Sequence, residues 1–302
     1  HGRHISSSTL LLDHMGDARA SAASIRIQPL TEDLVDSVRE FNGRLSAGGV
    51  PYRLPESPTL PWLPKRNGQE MFQECYVAVE NDSAVRGGYI LKRQSFMIQG
   101  ERHSVGCYRL PLSEGLTDRK YGAVGLRLLT DALKREPLLY VLGIGGMHER
   151  LSRMLTALSW RLHTVPFHFK VIRPFRVARQ LSYLRTSVLG RMTLDLAAFS
   201  GGAWLLSRVM GRTARGIDTQ MTAALQPSFG TWTDALWSEC KGRYTIIADR
   251  SLQALEVLYP AGDPRFMRVK LTAAGNPVGW AVLLATDMRE HKYFGNLRVG
   301  RI

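Results

Sequence analysis

The stretch YRLPLSEGLTDRKYGAVGLRLLTDALKR, residues 108–135, reads as an apolar strand, a loop rich in glycine and charge, and an amphipathic helix. The loop closes on Gly122-Ala123-Val124-Gly125 and opens straight into the helix. Unpaired backbone N–H groups and the positive end of the helix dipole therefore face whatever lies above them, and such an end attracts anions. The helix carries Val124, Leu128, Leu129, Ala132 and Leu133 on one side and Arg127, Asp131, Lys134 and Arg135 on the other, the pattern of a helix lying on a sheet, and Pro137 ends it.

The sequence on either side supplies that sheet. Upstream, CYVAVE, GGYILKRQSFMI and SVGCYRLPL are separated by turns at Asn81-Asp82-Ser83 and Gln99-Gly100-Glu101, which predicts a three-strand antiparallel meander. Before it, SIRIQ reads as a short strand and Thr31 as the N-cap of a helix with Leu34, Val38, Phe41 and Leu45 on one face, stopped by Gly48-Gly49. PYRLPESPTLPWLPKRNG is too rich in proline for regular structure and is read as a long substrate-side loop. Downstream, LLYVLGIGG reads as a strand buried on both faces. A helix follows with Leu151, Met154, Leu155 and Leu158 inward and Trp160 closing it, and then a last strand, VPFHFKVIRP.

Length and composition frame this unit. The 302 residues suffice for two domains, and 44% hydrophobic with 22% charged residues is ordinary for globular proteins. A formal charge of +14 favours acidic partners such as nucleotides, nucleic acid or anionic lipid. Cys75, Cys107 and Cys240 are widely spaced and odd in number, which supports neither a disulfide framework nor a zinc site, and suits a reducing compartment. Residues 1–23 read as a mobile leader without a signal-peptide core, and the chain reads as a fragment at both ends.

Residues 174–226 read as a basic helical connector. Val177, Leu181, Leu184 and Val188 fall at helical spacing with Arg176, Arg179 and Arg185 beside them, which leaves contact with an anionic membrane surface open. Asp195, Arg208 and Gly201-Gly202 argue against a span in the apolar stretch that follows. From residue 227 the early pattern returns: a helix, an edge segment YTIIADR, a helix of Leu252, Leu255 and Leu258, and three strands with turns at Ala274-Gly275-Asn276 and near Arg289-Glu290. This reads as a second, incomplete copy of the first unit, with Asn296 and Arg298 as polar interruptions of its fourth strand.

With these elements in order, residues 24–173 resemble the GCN5-related N-acetyltransferase (GNAT) superfamily, and the whole chain resembles its tandem, FemAB-like forms. The family signature is Gln or Arg, two residues, Gly, one residue, then Gly or Ala. Lys120-Tyr121-Gly122-Ala123-Val124-Gly125 matches it in part, with Lys for Arg and Ala for the first Gly. The resemblance implies a mixed α/β sheet and an acyl-CoA, acetyl-CoA foremost, whose pyrophosphate is held by Lys120, Tyr121, Gly122, Ala123, Val124 and Gly125. It also implies a thioester carbonyl lodged where the fourth and fifth strands splay apart, near backbone donors at Leu110 and Leu112, with direct attack by a small-molecule or saccharide amine and no metal.

Glu114 and Asp118 are the nearest carboxylates and the candidate bases, against the ordinary reading of solvated loop carboxylates. Many family members place a general-acid tyrosine in the last helix, where this chain has Leu155. His103 and Tyr108 read as packing or solvent-facing residues, and His163 and His168 as structural. Two alternatives stand beside acyl-CoA chemistry. One is a FemAB-like transferase that uses aminoacyl-tRNA, the one nucleic-acid partner expected; the other is a non-catalytic CoA- or membrane-binding module. A cytoplasmic location, with or without peripheral contact at the inner membrane face, fits all three.

Overall fold

The computed structural model describes residues 24–143, 149–166, 168, 170, 221–289 and 296–302, which fall into two compact units. Arg176, Arg179, Arg185, Asp195 and Arg208 lie outside the described residues, as does most of the expected connector. Among the described residues, no helix is long and apolar enough to cross a membrane.

The first unit begins with strand β1 (Ile25–Pro29). A 3-10 turn (Glu32–Leu34), with Thr31 at its N-cap position but making no side-chain capping bond, runs into helix α1 (Val35–Ala47), and Gly48 with the left-handed Gly49 (φ 79°) ends it. The meander follows as β2 (Phe72–Glu80), β3 (Ala84–Ile98) and β4 (Glu101–Ser113), all antiparallel, with β1 pairing β2. Helix α2 (Val124–Arg135) leads to β5 (Leu139–Tyr140), which pairs parallel to β4, so the strand order is β1-β2-β3-β4-β5.

Side-chain alternation gives the sheet two different faces. On one, Cys75, Val77 and Val79 of β2 meet Val38, Phe41 and Leu45 of α1, each essentially buried, and removing any of these three α1 side chains from water stabilises by roughly 1.5–3 kcal/mol. On the other lies α2. Gly87 keeps that contact close: a Cβ there would meet Val124 Cγ1 at 2.9 Å and Leu128 Cδ1 at 3.2 Å. The 51–71 loop is fastened rather than free, because Asn42 brackets Leu54 with two backbone hydrogen bonds (2.9 and 3.0 Å) while Leu54, Leu60 and Leu63 are buried.

Three expectations change. LLYVLGIGG forms only the two-residue β5, with Leu138 and Leu142 exposed, because a single parallel partner covers it; residues 144–148 lie outside the described residues. Helix α3 (Arg150–Ala157) forms as expected and buries Leu155, while Leu158 is exposed and Trp160 half-buried. Of VPFHFKVIRP, the described residues Val165, Pro166, His168 and Lys170 are exposed and form no strand.

The second unit is a four-stranded antiparallel sheet in the order β10-β9-β8-β6. Its first strand, β6 (Met221–Gln226), occupies the end of the expected connector because it finds a full-length partner in β8 (Phe266–Ala273). Helices α4 (Trp232–Cys240) and α5 (Leu252–Leu258) fall between these strands in sequence. The sheet continues through β9 (Asn276–Asp287) to β10 (Arg298–Arg301), where Arg298 lies 3.7 Å from Asp287 as an exposed ion pair, while Asn296 precedes the strand. YTIIADR does not join this sheet: its strand β7 (Ile246–Ala248) pairs with Phe96–Ile98 of β3 in the first unit.

Candidate functional site

The site grows out of an irregularity in β4. Register runs evenly up to Arg109↔Ile90 and resumes at Leu112↔Gly88, so Leu110 and Pro111 together oppose Tyr89 in a β-bulge. Leu110 takes the left-handed conformation (φ 48°), a strained geometry for a side chain branched beyond Cβ and a mark of sites where backbone is re-aimed. On the other side of β4, pairing with β5 covers only Gly106 and Cys107. Gly106 donates to the Leu138 carbonyl at 2.8 Å, and the two-residue period turns the backbone of Tyr108 to the same side, where among the described residues β5 has no residue opposite it. Pairing between the two strands has thus ended before the bulge.

The strand order β1-β2-β3-β4-β5, the helix between β1 and β2 and the splay between the fourth and fifth strands are what the sequence resemblance implied; the bulge in β4 and the shortness of β5 are found in the structure. The first unit has a GNAT-type fold.

Neither a family model nor a curated protein sequence matches the chain. Solved structures similar to it include an acetyltransferase of Trypanosoma brucei (14% identity, TM-score 0.33, 49% of this chain and 100% of that one). N-myristoyltransferase of Saccharomyces cerevisiae, solved with myristoyl-CoA and inhibitors, matches over 93% of this chain and 63% of its own (10% identity, TM-score 0.45). A glucosamine N-acetyltransferase region of a fungal multi-domain β-N-acetylglucosaminidase matches over 92% of this chain and 31% of its own (13% identity, TM-score 0.39). The fold stands on its strand order, bulge and splay; likenesses at this level add no weight to any activity.

Beyond the bulge, β4 of this GNAT-type unit runs into two 3-10 turns (Glu114–Leu116 and Arg119–Tyr121) and then α2. These turns place the signature residues unevenly. The amide of Lys120 donates to Asp118 Oδ1 at 2.9 Å, that of Tyr121 to the Asp118 carbonyl at 3.1 Å, and that of Gly122 to the Arg119 carbonyl at 3.0 Å. All three are engaged in their own turn. Ala123 is the N-cap of α2, with no side-chain cap bond and no acidic residue in the first turn, so the amides of Val124 and Gly125 open the helix without an acceptor within it. Ala123 sits at φ −78°, where glycine has no advantage, so alanine at a family glycine position costs nothing in backbone strain. Gly125 leaves space beside Ser113, whose Oγ would lie 3.8 Å from an added Cβ.

Tyr121 faces the protein. Its ring lies under the Arg86 guanidinium (4.6 Å) and its hydroxyl donates to Glu80 Oε2 at 3.2 Å. Lys120 is exposed, with Nζ 5.1 Å from the same ring. Glu114 is buried, not solvated: Oε1 accepts from Arg44 Nε at 2.8 Å and Oε2 from Arg86 Nη1 at 2.9 Å. Arg86 also donates to Glu80 Oε2 at 2.7 Å. Both oxygens of Glu114 are thus committed to guanidinium donors, which ties the loop after β4 to α1 and β3. Asp118, the other candidate base, is exposed. Arg44 and Arg86 escape sequence reasoning because they lie 70 and 28 residues from the carboxylate they hold.

Burial raises the Glu80 carboxyl, but the Arg86 hydrogen bond and charge outweigh it and hold it below its ordinary value of 4.5. A depressed folded pKa contributes stability that is complete above the unfolded value and lost as pH falls through the folded one. The melting temperature should therefore fall below about pH 4.5, more steeply in the natural chain than in Glu80→Gln; equal slopes would show that Glu80 carries none of it.

Under α2, Tyr76, Tyr89 and Tyr108 lie in a row, the first pair stacked with centroids 5.3 Å apart and the second tilted at 5.0 Å. Tyr89 donates to Asp131 Oδ2 at 2.6 Å and Arg135 closes on the same carboxylate at 2.7 Å, so both turn inward from the helix side read as polar. Burial first, and then the neighbouring Asp131 charge, push the Tyr89 and Tyr108 hydroxyls well above their usual range. They stay protonated. Ser104 donates to Glu136 at 2.8 Å and fastens the far end of α2, which fixes where its open end points. His103 is half-buried beside Glu101, and His163 and His168 are exposed. Among the described residues, no group of three or more His, Cys, Asp or Glu gathers for a metal.

Proposed function

We propose that the chain is an acyl-CoA-dependent N-acyltransferase whose cofactor lies along the splay of β4 and β5 with its pyrophosphate at the open end of α2. The observation that carries this reading is the coincidence, at the end of one strand, of a left-handed bulge, a lost strand partner and an uncapped helix N-terminus. Ala123, Val124 and Gly125 would hold the diphosphate by backbone and Lys120 by charge, while the backbone at Leu110 and Leu112 would face the thioester carbonyl. The acceptor amine attacks that carbonyl, the C–S bond breaks and CoA leaves as thiol. With Leu155 buried and apolar and Glu114 committed to two arginines, the chain contributes mainly positioning and carbonyl polarisation, with Asp118 or water taking the ammonium proton.

The second unit is proposed as a second copy: order β6-β8-β9-β10 with helices between its first two strands repeats β1-β2-β3-β4 with α1 between its first two. That repetition keeps the aminoacyl-tRNA-dependent reading as the alternative.

Ala123→Asp separates the two. A carboxylate at the positive end of α2 suits the helix dipole by about 0.3–1 kcal/mol, so the melting temperature should hold or rise. The same charge would stand where the diphosphate belongs, so calorimetry should show CoA affinity lowered at least about tenfold. If the natural protein binds neither CoA nor acetyl-CoA, or if Ala123→Asp binds them equally well, the cofactor assignment fails. Unaltered transfer from charged tRNA would then favour the alternative.

A further inference from the structure

The chain has five asparagines, and two of them, Asn42 and Asn67, are followed by glycine. An Asn-Gly pair can close on itself, because the glycine nitrogen reaches the asparagine side-chain carbonyl carbon with no Cβ to hinder it. The fold treats the two pairs differently. Asn42 lies within α1 and is 2% exposed; its amide donates to the Leu54 carbonyl and to Glu56 Oε1, both at 3.0 Å, and its oxygen accepts from the Leu54 amide at 2.9 Å. Gly43 continues the helix, where its backbone amide serves the carbonyl four residues back. Asn67 and Gly68 are both exposed, and among the described residues neither the Asn67 side chain nor the Gly68 amide has a hydrogen-bond partner. They form the middle of a turn closed by the Gln69 amide on the Arg66 carbonyl at 3.1 Å, a bond that uses neither of them, with Gly68 at φ 75°.

We propose that Asn67 is a site of spontaneous deamidation in the folded protein and that Asn42 is protected. The Gly68 nitrogen, its proton taken by solvent base, bonds to the Asn67 side-chain carbonyl carbon; the bond from that carbon to the side-chain nitrogen breaks, and ammonia leaves. Water then opens the cyclic imide at one or other carbonyl, giving aspartate or isoaspartate at position 67. Water is the one co-reactant, and nothing is oxidised or reduced. The new carboxylate stands next to Lys65 and Arg66 in sequence, where Lys65 already pairs with Glu74 at 2.9 Å, and the isoaspartate form also lengthens the main chain by a methylene. The proline-rich loop thereby gains a negative charge that depends on the age of the molecule. This inference does not rest on the acyltransferase reading.

The full chain, kept folded at mildly alkaline pH and sampled over time, is digested, and the peptides that contain positions 42 and 67 are weighed by mass spectrometry. Conversion at Asn67 should run at least about tenfold faster than at Asn42, whose reaction waits on local opening of α1. In concentrated urea the two sites should convert within about threefold of each other, because sequence alone then governs both. A Cβ at Gly68 would meet nothing within 4 Å, so Gly68→Ala is accommodated, and it should slow conversion at Asn67 at least about tenfold while Asn42 is unaffected. The proposal is overturned if Asn67 stays intact in the folded chain while it converts in urea, if the two sites convert equally in the folded chain, or if Gly68→Ala leaves the rate at Asn67 unchanged.

Discussion

Replacing Arg86 with alanine is expected to destabilise the first unit by about 3–5 kcal/mol, because it removes one partner from a buried ionic cluster and leaves carboxylates without a counter-charge. Glu80 and Glu114 have side chains 8% and 7% exposed, and Arg86, itself 20% exposed, is bonded to both. Arg44 still reaches Glu114, but among the described residues Glu80 keeps only the Tyr121 hydroxyl as a hydrogen-bond partner. Urea unfolding followed by circular dichroism would measure the loss. The comparison that isolates charge from packing is Arg86→Met with Glu80→Gln, which removes the carboxylate left without a cation while Arg44 keeps Glu114 paired, and should recover most of the stability. If Arg86→Ala costs less than about 1 kcal/mol, the cluster is not what anchors the loop. The loop carries the open end of α2, so under the proposed function Arg86→Ala should also weaken CoA binding.

What the sequence disclosed and what it hid differ by range. Helix α1 was legible because Leu34, Val38, Phe41 and Leu45 repeat at one spacing, and all four are buried. The meander was legible because its turns carry Asn, Asp and Gly where left-handed backbone is needed: Asn81, Asp82 and Gly100 all have positive φ. The bulge was not, since the residue bent into the left-handed region is Leu110, where glycine is the usual signal. Tyr121 shows the limit of a motif, which places a residue in a loop without saying which way it faces; here it turns inward to Glu80. Burial of Glu114 depended on Arg44 and Arg86, and no local pattern announces partners so distant in sequence. YTIIADR read as an edge segment of the second unit, and its sequence carries nothing to say that its partner is β3.

Arg268→Ala is the corresponding test of the second unit, with an expected cost of about 3–5 kcal/mol. Arg268 lies in β8, is 4% exposed, and spends its guanidinium on backbone carbonyls: Nε reaches Tyr259 at 3.1 Å, Nη1 reaches Phe266 at 3.0 Å and Pro227 at 3.4 Å, and Nη2 reaches Tyr259 at 3.0 Å and also Pro260. One side chain thereby ties β8 to the chain leaving β6 and to the chain leaving α5. Alanine would leave several carbonyls without donors and open a cavity among Phe229, Tyr259 and Phe266, whose rings pack against one another. Lysine would not repair it, because a single ammonium cannot span carbonyls that a planar fork reaches together. Hydrogen exchange resolves the effect by place: amides of β8 and β9 should lose protection in both variants while those of β2 and β3 keep theirs. If Arg268→Lys exchanges like the natural chain, the fork geometry is dispensable and only the buried charge matters.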